Sequence, residues 1–252
     1  MQKMVENLVE GLGKYLEEAG FTRFVLGLSG GVDSALTAAL CAQAQGAGKV
    51  YAYMLPYRTS SKDSRIDAEA VASSLKINLD LVDISPMADA YNALTPGISP
   101  LRLGNVLARL RMIVLFDKSA ELSALVAGTG NRSEILLGYS TLYGDSACAV
   151  NPIGSLYKTE VWEMARYLGL PRQVIEKAPS ADLWQGQTDE KELGYSYKEI
   201  DELLILLYDK GLKPQEALNM GYDPGFVEMV TSRATRNKFK QELPRIINKR
   251  GI

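Results

Sequence analysis

The chain has 252 residues and a formal net charge of −2, and it contains no histidine. The lack of histidine excludes Ser-His and Cys-His nucleophile pairs and every metal site built on histidine ligands. A charge this close to zero gives no general attraction to nucleic acid or to a membrane surface. No apolar stretch reaches the ~20 residues of a membrane helix, and the N-terminus has no signal-peptide core. We therefore expect a cytoplasmic protein that works with carboxylates, lysine, arginine, hydroxyls and bound metal.

Strands and helices alternate along the first part of the chain. A helix is predicted over 2–19, followed by apolar strands at 23–28, 50–55, 79–84 and 123–128. Further helices are predicted at 34–45, 64–75, 105–117, 131–137 and 159–168. This alternation is typical of a parallel sheet with helices on both faces.

After residue 170 the pattern is helical, with helices predicted at 197–208, 215–220 and 224–233. The sequence thus predicts an α/β fold with a doubly wound parallel sheet and a helical C-terminal lobe. We expect a single domain over 1–252, divided into a nucleotide-binding core at 1–170 and a helical lobe and tail at 171–252. Cys41 and Cys148 lie in apolar runs, and we expect them to be reduced packing residues.

A glycine turn joins the first strand to the first helix of the predicted sheet. In open α/β sheets, ligands bind beyond the carboxyl ends of the strands, and a helix N-terminus offers free N–H groups to phosphate. Gly30 and Gly31 let the backbone approach an anion, and Ser29 and Ser34 add hydroxyls. A carboxylate such as Asp33 fits beside polyphosphate if it holds Mg²⁺.

Two common glycine motifs do not fit this turn. The Walker motif needs a lysine at the turn, and none occurs between Lys14 and Lys49. The dinucleotide fingerprint needs three glycines at another spacing and an acid after the second strand. A plain glycine turn with a solvated Asp33 remains an alternative. The pattern Ser-Gly-Gly-Val-Asp-Ser at 29–34 resembles the PP-loop of the ATP pyrophosphatase superfamily, whose members cleave ATP between the α and β phosphates.

Four further charged positions fit a phosphate site but also allow ordinary structural roles. Arg109 and Arg111 do not share a helix face, so one could reach a phosphate while the other packs or pairs. Glu134 follows the fourth strand near a helix start, where it could cap the helix or bind metal. Lys158 precedes a predicted helix and could be a phosphate ligand or a solvated residue.

Several segments together resemble the ammonia-dependent NAD synthetase family over nearly the whole chain. Their order and spacing match that family, and the most specific of them are 29–34, 108–112, 128–134, 151–152, 156–159, 179–183, 187–190 and 193–195. The resemblance implies a ligase that transfers AMP from ATP to the carboxylate of nicotinic acid adenine dinucleotide (deamido-NAD). Ammonia then displaces AMP to give NAD, and Mg²⁺ assists the release of pyrophosphate.

The resemblance also implies roles for individual residues. Catalytic roles fall to Asp33 and Lys158, and Mg²⁺ binding to Asp33 and Glu134. ATP binding falls to Gly27, Leu28, Ser29, Gly30, Gly31, Val32, Asp33, Ser34, Met54, Thr129, Lys158 and Ser180. Deamido-NAD binding falls to Arg109, Phe239 and Lys240.

The chain departs from the commonest family pattern where deamido-NAD is held. Leu142 and Ala149 stand where the family has a lysine and an acid, and Phe239 stands in place of a histidine. The family is homodimeric with deamido-NAD at the interface, and the apolar face of the helix at 105–117 is a candidate contact. The chain has no room for an amidase domain, so we expect free ammonia, unless a separate partner supplies it.

Two other classes of protein remain open on these residues. One is another PP-loop enzyme, such as a GMP synthetase core, an argininosuccinate synthetase or a tRNA-modifying ligase. The near-neutral charge and the lack of a paired-cysteine motif disfavour the tRNA and sulfur-transfer members. The other is a nucleotide-binding regulator without catalysis, which Asp33, Glu134 and Lys158 disfavour.

Overall fold

The computed structural model describes residues 1–180, 188–244 and 246–247. Within these residues the chain forms one sheet of four parallel strands in the order β3-β2-β1-β4. The strands are β1 (Phe24–Gly27), β2 (Val50–Met54), β3 (Asn78–Leu81) and β4 (Leu125–Val126). The predicted α/β class with a parallel sheet is confirmed.

Helices connect the strands and form the C-terminal part of the chain. The first half has α1 (Gln2–Glu18), α2 (Val32–Gln45), α3 (Lys62–Leu75), α4 (Ser85–Leu94), α5 (Pro100–Leu122) and α6 (Arg132–Leu137). The second half has α7 (Lys158–Tyr167), α8 (Arg172–Glu176), α9 (Asp189–Leu193), α10 (Tyr197–Leu204), α11 (Pro214–Asn219) and α12 (Pro224–Asn237). None of the helices in the described ranges is long and apolar enough to span a membrane.

Apolar side chains cover both faces of the sheet, as a doubly wound fold requires. One face packs against α1, α2 and α7 through residues such as Leu16, Leu36 and Val161. The opposite face packs against α4 and α5 through residues such as Ala88 and Leu107. Because strands buried on both faces carry few polar side chains, β1, β2 and β4 appear in the sequence as continuous apolar runs, whereas the edge strand β3 alternates polar and apolar residues.

A third apolar cluster joins the C-terminal helices to the sheet domain. Its members include Tyr197 and Phe226 from the C-terminal helices, with Leu137 and Tyr157 from the first part of the chain. The predicted helical character after residue 170 is confirmed for the described residues. The division of a single domain at residue 170 stays a prediction.

The structure corrects several predicted element boundaries. Helix α4 was not predicted; it has ten residues and begins at a Ser-Pro pair directly after the third strand. Helix α5 is longer than 105–117 and begins at a Ser99 cap followed by Pro100. The third strand ends at Leu81, because Asp83 turns the chain into α4 by accepting the N–H of Ser85. The predicted helix at 197–208 changes to a π-turn at Ile205–Asp209.

The order of the strands places the binding edge. The chain moves from β1 outward to β2 and β3, and β4 then pairs with the opposite side of β1. The chain therefore leaves β1 toward one edge of the sheet and β4 toward the other. The carboxyl ends of these two strands form the switch point, which is where ligands bind in open α/β sheets. The turn after β1 and the turn after β4 both lie there.

We predict that Gly138→Ala destabilises the chain more than Gly169→Ala does. Both glycines end helices with positive φ, +61° and +69°, so both alanines carry left-handed strain of ~1 kcal/mol or more. Only at Gly138 would the added Cβ meet a neighbour, 2.0 Å from the Cβ of Asn237 on α12. Thermal unfolding of both variants should give a clearly lower melting temperature for Gly138→Ala. Equal melting temperatures would show that α12 can move away from the added Cβ without loss of stability.

Candidate active site

The turn after β1 has the geometry of an anion-binding loop. Strand β1 ends at Gly27, the Leu28 N–H donates to Tyr53 O, and Gly31 is the N-cap of α2. Gly30 has φ +78°, and a Cβ there would lie 2.3 Å from Ser64 O. A side chain at position 30 would therefore collide with α3, so glycine is required both for the turn and for its packing.

The two serines of the turn hydrogen-bond within it. The Ser34 hydroxyl donates to Gly31 O at 3.0 Å and accepts the Ser29 N–H at 3.2 Å. The two hydroxyl oxygens are 3.1 Å apart, and the Gly31 N–H donates to Ser29 Oγ at 3.3 Å. Because these bonds are local, they set the shape of the loop around the N-terminus of α2.

Three predicted residues from distant parts of the chain meet beside this turn. Lys158 Nζ lies 2.5 Å from Asp33 Oδ2 and 3.6 Å from Glu134 Oε1. Asn131 Nδ2 donates to Asp33 Oδ1 at 2.9 Å. These side chains start from three helix N-termini, those of α2, α6 and α7, so the dipoles of the three helices converge on one place.

Glu134 caps its helix and also lies in the cluster. It is the third residue of a capping box: its N–H donates to Asn131 Oδ1, and its Oε2 accepts the Asn131 N–H. Its other oxygen faces Lys158. The capping role is therefore confirmed, and the two roles left open by the sequence are compatible because they use different carboxylate oxygens.

The cluster has more acidic than basic groups. Burial and the neighbouring Asp33 raise the pKa of Glu134 to about 8, although Lys158 opposes this shift. Burial disfavours the Lys158 ammonium, but Asp33 and Glu134 outweigh it and raise the pKa of Lys158. Lys158 is thus a permanent cation, 2% exposed, that faces both carboxyl groups. In the ligand-free chain Glu134 therefore keeps its proton up to a pH of about 8.

Asp189 and Tyr197 complete the surroundings of Lys158. The Tyr197 ring centroid is 5.3 Å from Lys158 Nζ, and the Tyr197 hydroxyl donates to Asp189 at 3.3 Å. Burial raises the pKa of Asp189, and Lys158 opposes that rise. Neither of these two residues nor Asn131 was assigned a role from the sequence. Asp189 lies in the family-like segment 187–190, and Asn131 precedes an acid by three positions as capping boxes require.

Two of the remaining predicted ATP-binding residues lie at the carboxyl ends of strands on the same edge. Met54 is the last residue of β2 and is buried, and Thr129 is half-buried between β4 and α6. Ser180 is exposed beyond α8. The family-like positions 181–183 and Gln187 lie outside the described residues. No group of three or more aspartates, glutamates or cysteines able to hold a metal occurs in the described part of the chain.

The residues predicted to bind deamido-NAD surround the loop after α6. The Arg109 guanidinium donates to Leu142 O at 3.2 and 3.1 Å. Lys240 Nζ donates to Gly138 O and Ser140 O, each at 2.7 Å. Phe239 is 59% exposed. Lys240 and Arg109 thus both hold this loop by its carbonyl oxygens.

Arg111 behaves differently from Arg109. Its Nε donates to Leu55 O at 3.1 Å, at the end of β2, whereas Arg109 points to the loop after α6. The prediction that these two arginines do not share a face is confirmed.

Comparison with known proteins finds relatives over nearly the whole chain. A family model described as NAD synthase matches residues 4–244. The NH₃-dependent NAD⁺ synthetase of Fusobacterium nucleatum is 46% identical, covering 98% of this chain and 95% of that protein. The corresponding protein of Wolinella succinogenes is 48% identical, covering 98% and 96%.

Solved structures give the same result. The NMN synthetase of Francisella tularensis superposes with a TM-score of 0.88 at 33% identity, and the NH₃-dependent NAD synthetase of Campylobacter jejuni with 0.83 at 36%. Each comparison covers 98% of both chains. The parallel sheet with a glycine turn at its switch point defines a nucleotide-binding protein of the PP-loop class. The chain belongs to the NAD synthase family.

We predict that Gly30→Ala disrupts the phosphate turn. The alanine would combine left-handed strain with a backbone collision against Ser64, so the turn must shift, at a cost of ~2 kcal/mol or more. The melting temperature should fall, and AMP formation from ATP should fall ~10-fold or more. Gly48→Ala is the control, because a Cβ at Gly48 meets nothing within 4 Å. Full activity of Gly30→Ala would contradict the assignment of this turn.

We predict that Glu134→Gln changes the pH dependence of stability in the ligand-free protein. The folded chain holds the Glu134 proton up to pH about 8, whereas the unfolded chain releases it near 4.5. Wild-type stability therefore falls as pH rises through this window, and the glutamine variant lacks this loss. On going from pH 5 to pH 8, the melting temperature of the wild type should fall by ~2 °C or more relative to that of the variant.

Differential scanning calorimetry at several pH values provides this test. Glu10→Gln, at an exposed position on α1, gives the baseline for a surface glutamate. A difference between Glu134→Gln and the wild type that stays constant with pH would contradict the raised pKa of Glu134.

Proposed function

We propose that the chain is an ammonia-dependent NAD synthetase that converts deamido-NAD, ATP and ammonia into NAD, AMP and pyrophosphate. The observation that carries this proposal is the meeting of Asp33, Glu134 and Lys158 at the phosphate turn. Membership of the NAD synthase family and the names of relatives at 46–48% identity support the choice of substrates. The reaction needs positioning and charge stabilisation, which agrees with a chain that has no histidine.

The first step activates the nicotinate carboxylate. A carboxylate oxygen attacks the α-phosphorus of ATP, the bond to the β-phosphate oxygen breaks, and pyrophosphate leaves with that electron pair. The backbone N–H groups of the turn at 29–34 and the N-terminus of α2 would hold the phosphates. The Lys158 ammonium would lower the energy of the negative charge that develops on the leaving pyrophosphate.

The second step exchanges oxygen for nitrogen at the activated carbon. Ammonia attacks the acyl carbon, the bond to the AMP oxygen breaks, and a proton is lost from nitrogen to give the amide. AMP leaves as a phosphate anion, so the same cationic surroundings that favour pyrophosphate release also favour this departure.

Asp33 and Glu134 are the residues that would hold Mg²⁺. Both carboxyl groups face one ammonium, and burial together with Asp33 raises the pKa of Glu134, so a bound cation would favour its ionised form. Two carboxylates do not fill the coordination of Mg²⁺, which usually takes its other ligands from water and substrate phosphates. When bound, the ion supplies charge neutralisation of the polyphosphate.

The acceptor would lie across the loop after α6, held by Arg109 and Lys240. Leu142 and Ala149 remove two charged groups that the family commonly uses for the dinucleotide. The likeness to the NMN synthetase of Francisella tularensis, with the TM-score of 0.88, favours a second candidate acceptor. That acceptor is nicotinic acid mononucleotide, whose amidation has the same chemistry and needs no contacts to the adenylate half.

We further propose a cytoplasmic homodimer of one domain per subunit, with no nucleic-acid or membrane partner. Exposed apolar side chains on α5, namely Leu101, Ile113 and Phe116, support a subunit contact along this helix. Light scattering of the purified protein measures the mass and tests the dimer directly.

A single incubation tests the function. Protein, ATP, Mg²⁺ and ammonium chloride are mixed with deamido-NAD or with nicotinic acid mononucleotide, and the products are separated by chromatography. NAD formed with equal AMP supports the proposal, and faster turnover of the mononucleotide would move the assignment to the second acceptor. AMP without an amidated product would show that ammonia must come from a partner. No AMP with either acceptor would overturn the proposal.

We predict that Asp33→Asn lowers kcat/KM for ATP by ~10² or more, because Lys158 and a bound cation both lose a carboxylate partner. Asp80→Asn is the matched control, since Asp80 is exposed on edge strand β3. Steady-state kinetics of both variants at saturating ammonia gives the comparison. Equal activities would show that Asp33 has no part in ATP chemistry.

A further inference from the structure

One buried carboxylate on α10 contacts the first turns of both α6 and α7. Asp201 is 1% exposed. Its Oδ1 accepts the hydroxyl of Ser133 at 2.5 Å, and its Oδ2 accepts the N–H and the hydroxyl of Thr159, both at 2.9 Å. A buried carboxylate is costly unless hydrogen bonds satisfy it, and here both oxygens are engaged.

The contacts of Asp201 fall beside the charged residues of the site. Ser133 is the neighbour of Glu134 in the chain, and Thr159 is the neighbour of Lys158. The Ser133 hydroxyl also accepts the Lys158 N–H at 3.0 Å, so it links Asp201 to both helices. A shift of this carboxylate would therefore move both charged residues together with their helices.

A second carboxylate repeats the arrangement further along the same segment. The Oδ1 atom of Asp209 accepts a hydrogen bond from Arg132 Nη2, and its Oδ2 accepts one from the Tyr157 hydroxyl at 3.0 Å. Arg132 is the first residue of α6, and Tyr157 is the N-cap of α7. Asp201 and Asp209 thus hold the same pair of helix starts at two points.

The π-turn brings these two carboxylates toward one face. An α-helix rotates ~100° per residue, so residues 201 and 209 would otherwise point ~80° apart. The π-turn at Ile205–Asp209 has more residues per turn and rotates less per residue. It therefore returns Asp209 toward the face that carries Asp201. A π-turn is rare and is often found near functional sites.

We propose that Asp201 is a positioning residue of the active site, which, together with Asp209, sets Glu134 and Lys158 at the right distance from each other and from Asp33. This inference rests on the proposed roles of Glu134 and Lys158. Separate helices carry the two residues, and an error of about 1 Å in their spacing is enough to cost ~10²-fold in rate. Asp201 touches no reacting atom, so it acts through the helix starts that it holds.

Asp201→Asn tests the proposal, with Val230→Ala as a stability control. The asparagine replaces an acceptor oxygen by an NH₂ group, which cannot satisfy both Ser133 and Thr159. Val230 is buried on α12 in the third apolar cluster, so its truncation loosens the lobe without changing these polar contacts. Circular dichroism first identifies a temperature at which all proteins are folded.

Two readouts are then compared at that temperature. Steady-state kinetics gives kcat and KM for ATP, and calorimetry gives the affinity for α,β-methylene-ATP with Mg²⁺. For Asp201→Asn we expect ~10-fold lower kcat/KM and a matching loss of affinity. For Val230→Ala we expect a lower melting temperature with KM and affinity unchanged. If Asp201→Asn does not fold, Ser133→Ala replaces it and should shift both readouts in the same direction.

A double-variant cycle separates positioning from a general loss of structure. Glu134→Gln removes one of the groups through which Asp201 acts, so adding Asp201→Asn to it should cost less affinity than in the wild type. Wild-type kinetics and affinity in Asp201→Asn, or full additivity with Glu134→Gln, would overturn the inference. If the wild type forms no amidated product, the proposed function fails, and the calorimetric arm still decides whether Asp201 shapes the nucleotide site.

Discussion

The arrangement of this site depends on one buried ammonium shared by two carboxylates. Lys158 lies between Asp33 and Glu134, and removing it would leave two buried acidic groups facing each other with no cation beside them. The three residues come from three helix N-termini, each a place where the backbone itself favours negative charge. Lys158 therefore supplies the positive charge that allows two acidic side chains to lie close together. The same charge allows this edge of the sheet to carry both acids in the ligand-free chain.

The sheet and its turn were predictable from the sequence because their signals are local. Strands buried on both faces appear as apolar runs, and the turn needs glycine at Gly30, where a Cβ would meet Ser64. Glu134 was predictable as a cap because its partner Asn131 is three residues away. Helix α4 was missed because it is short and the third strand was extended to residue 84, although proline in the first turn is itself a helix-start signal.

Asp201, Asp209 and Tyr197 could not be predicted as parts of the site. An acid on an amphipathic helix has the same sequence pattern whether it faces water or a distant helix start. The partner of Asp201 on α6 is 68 positions away in the chain, and that of Asp209 is 77 positions away. Only the fold shows that these carboxylates are turned inward, because the apolar cluster around Tyr197 fixes which face of α10 is buried.

These long separations have a consequence for the order of assembly. The sheet is made by residues up to 126, and its pairings can form while the later part of the chain is still being synthesised. The N-termini of α6 and α7 gain their hydrogen bonds to Asp201 only after α10 has been synthesised and has docked. A nascent chain can therefore acquire its parallel sheet well before it acquires a competent site. On the proposed role of Asp201, the C-terminal lobe must be synthesised and docked before ATP turnover can begin.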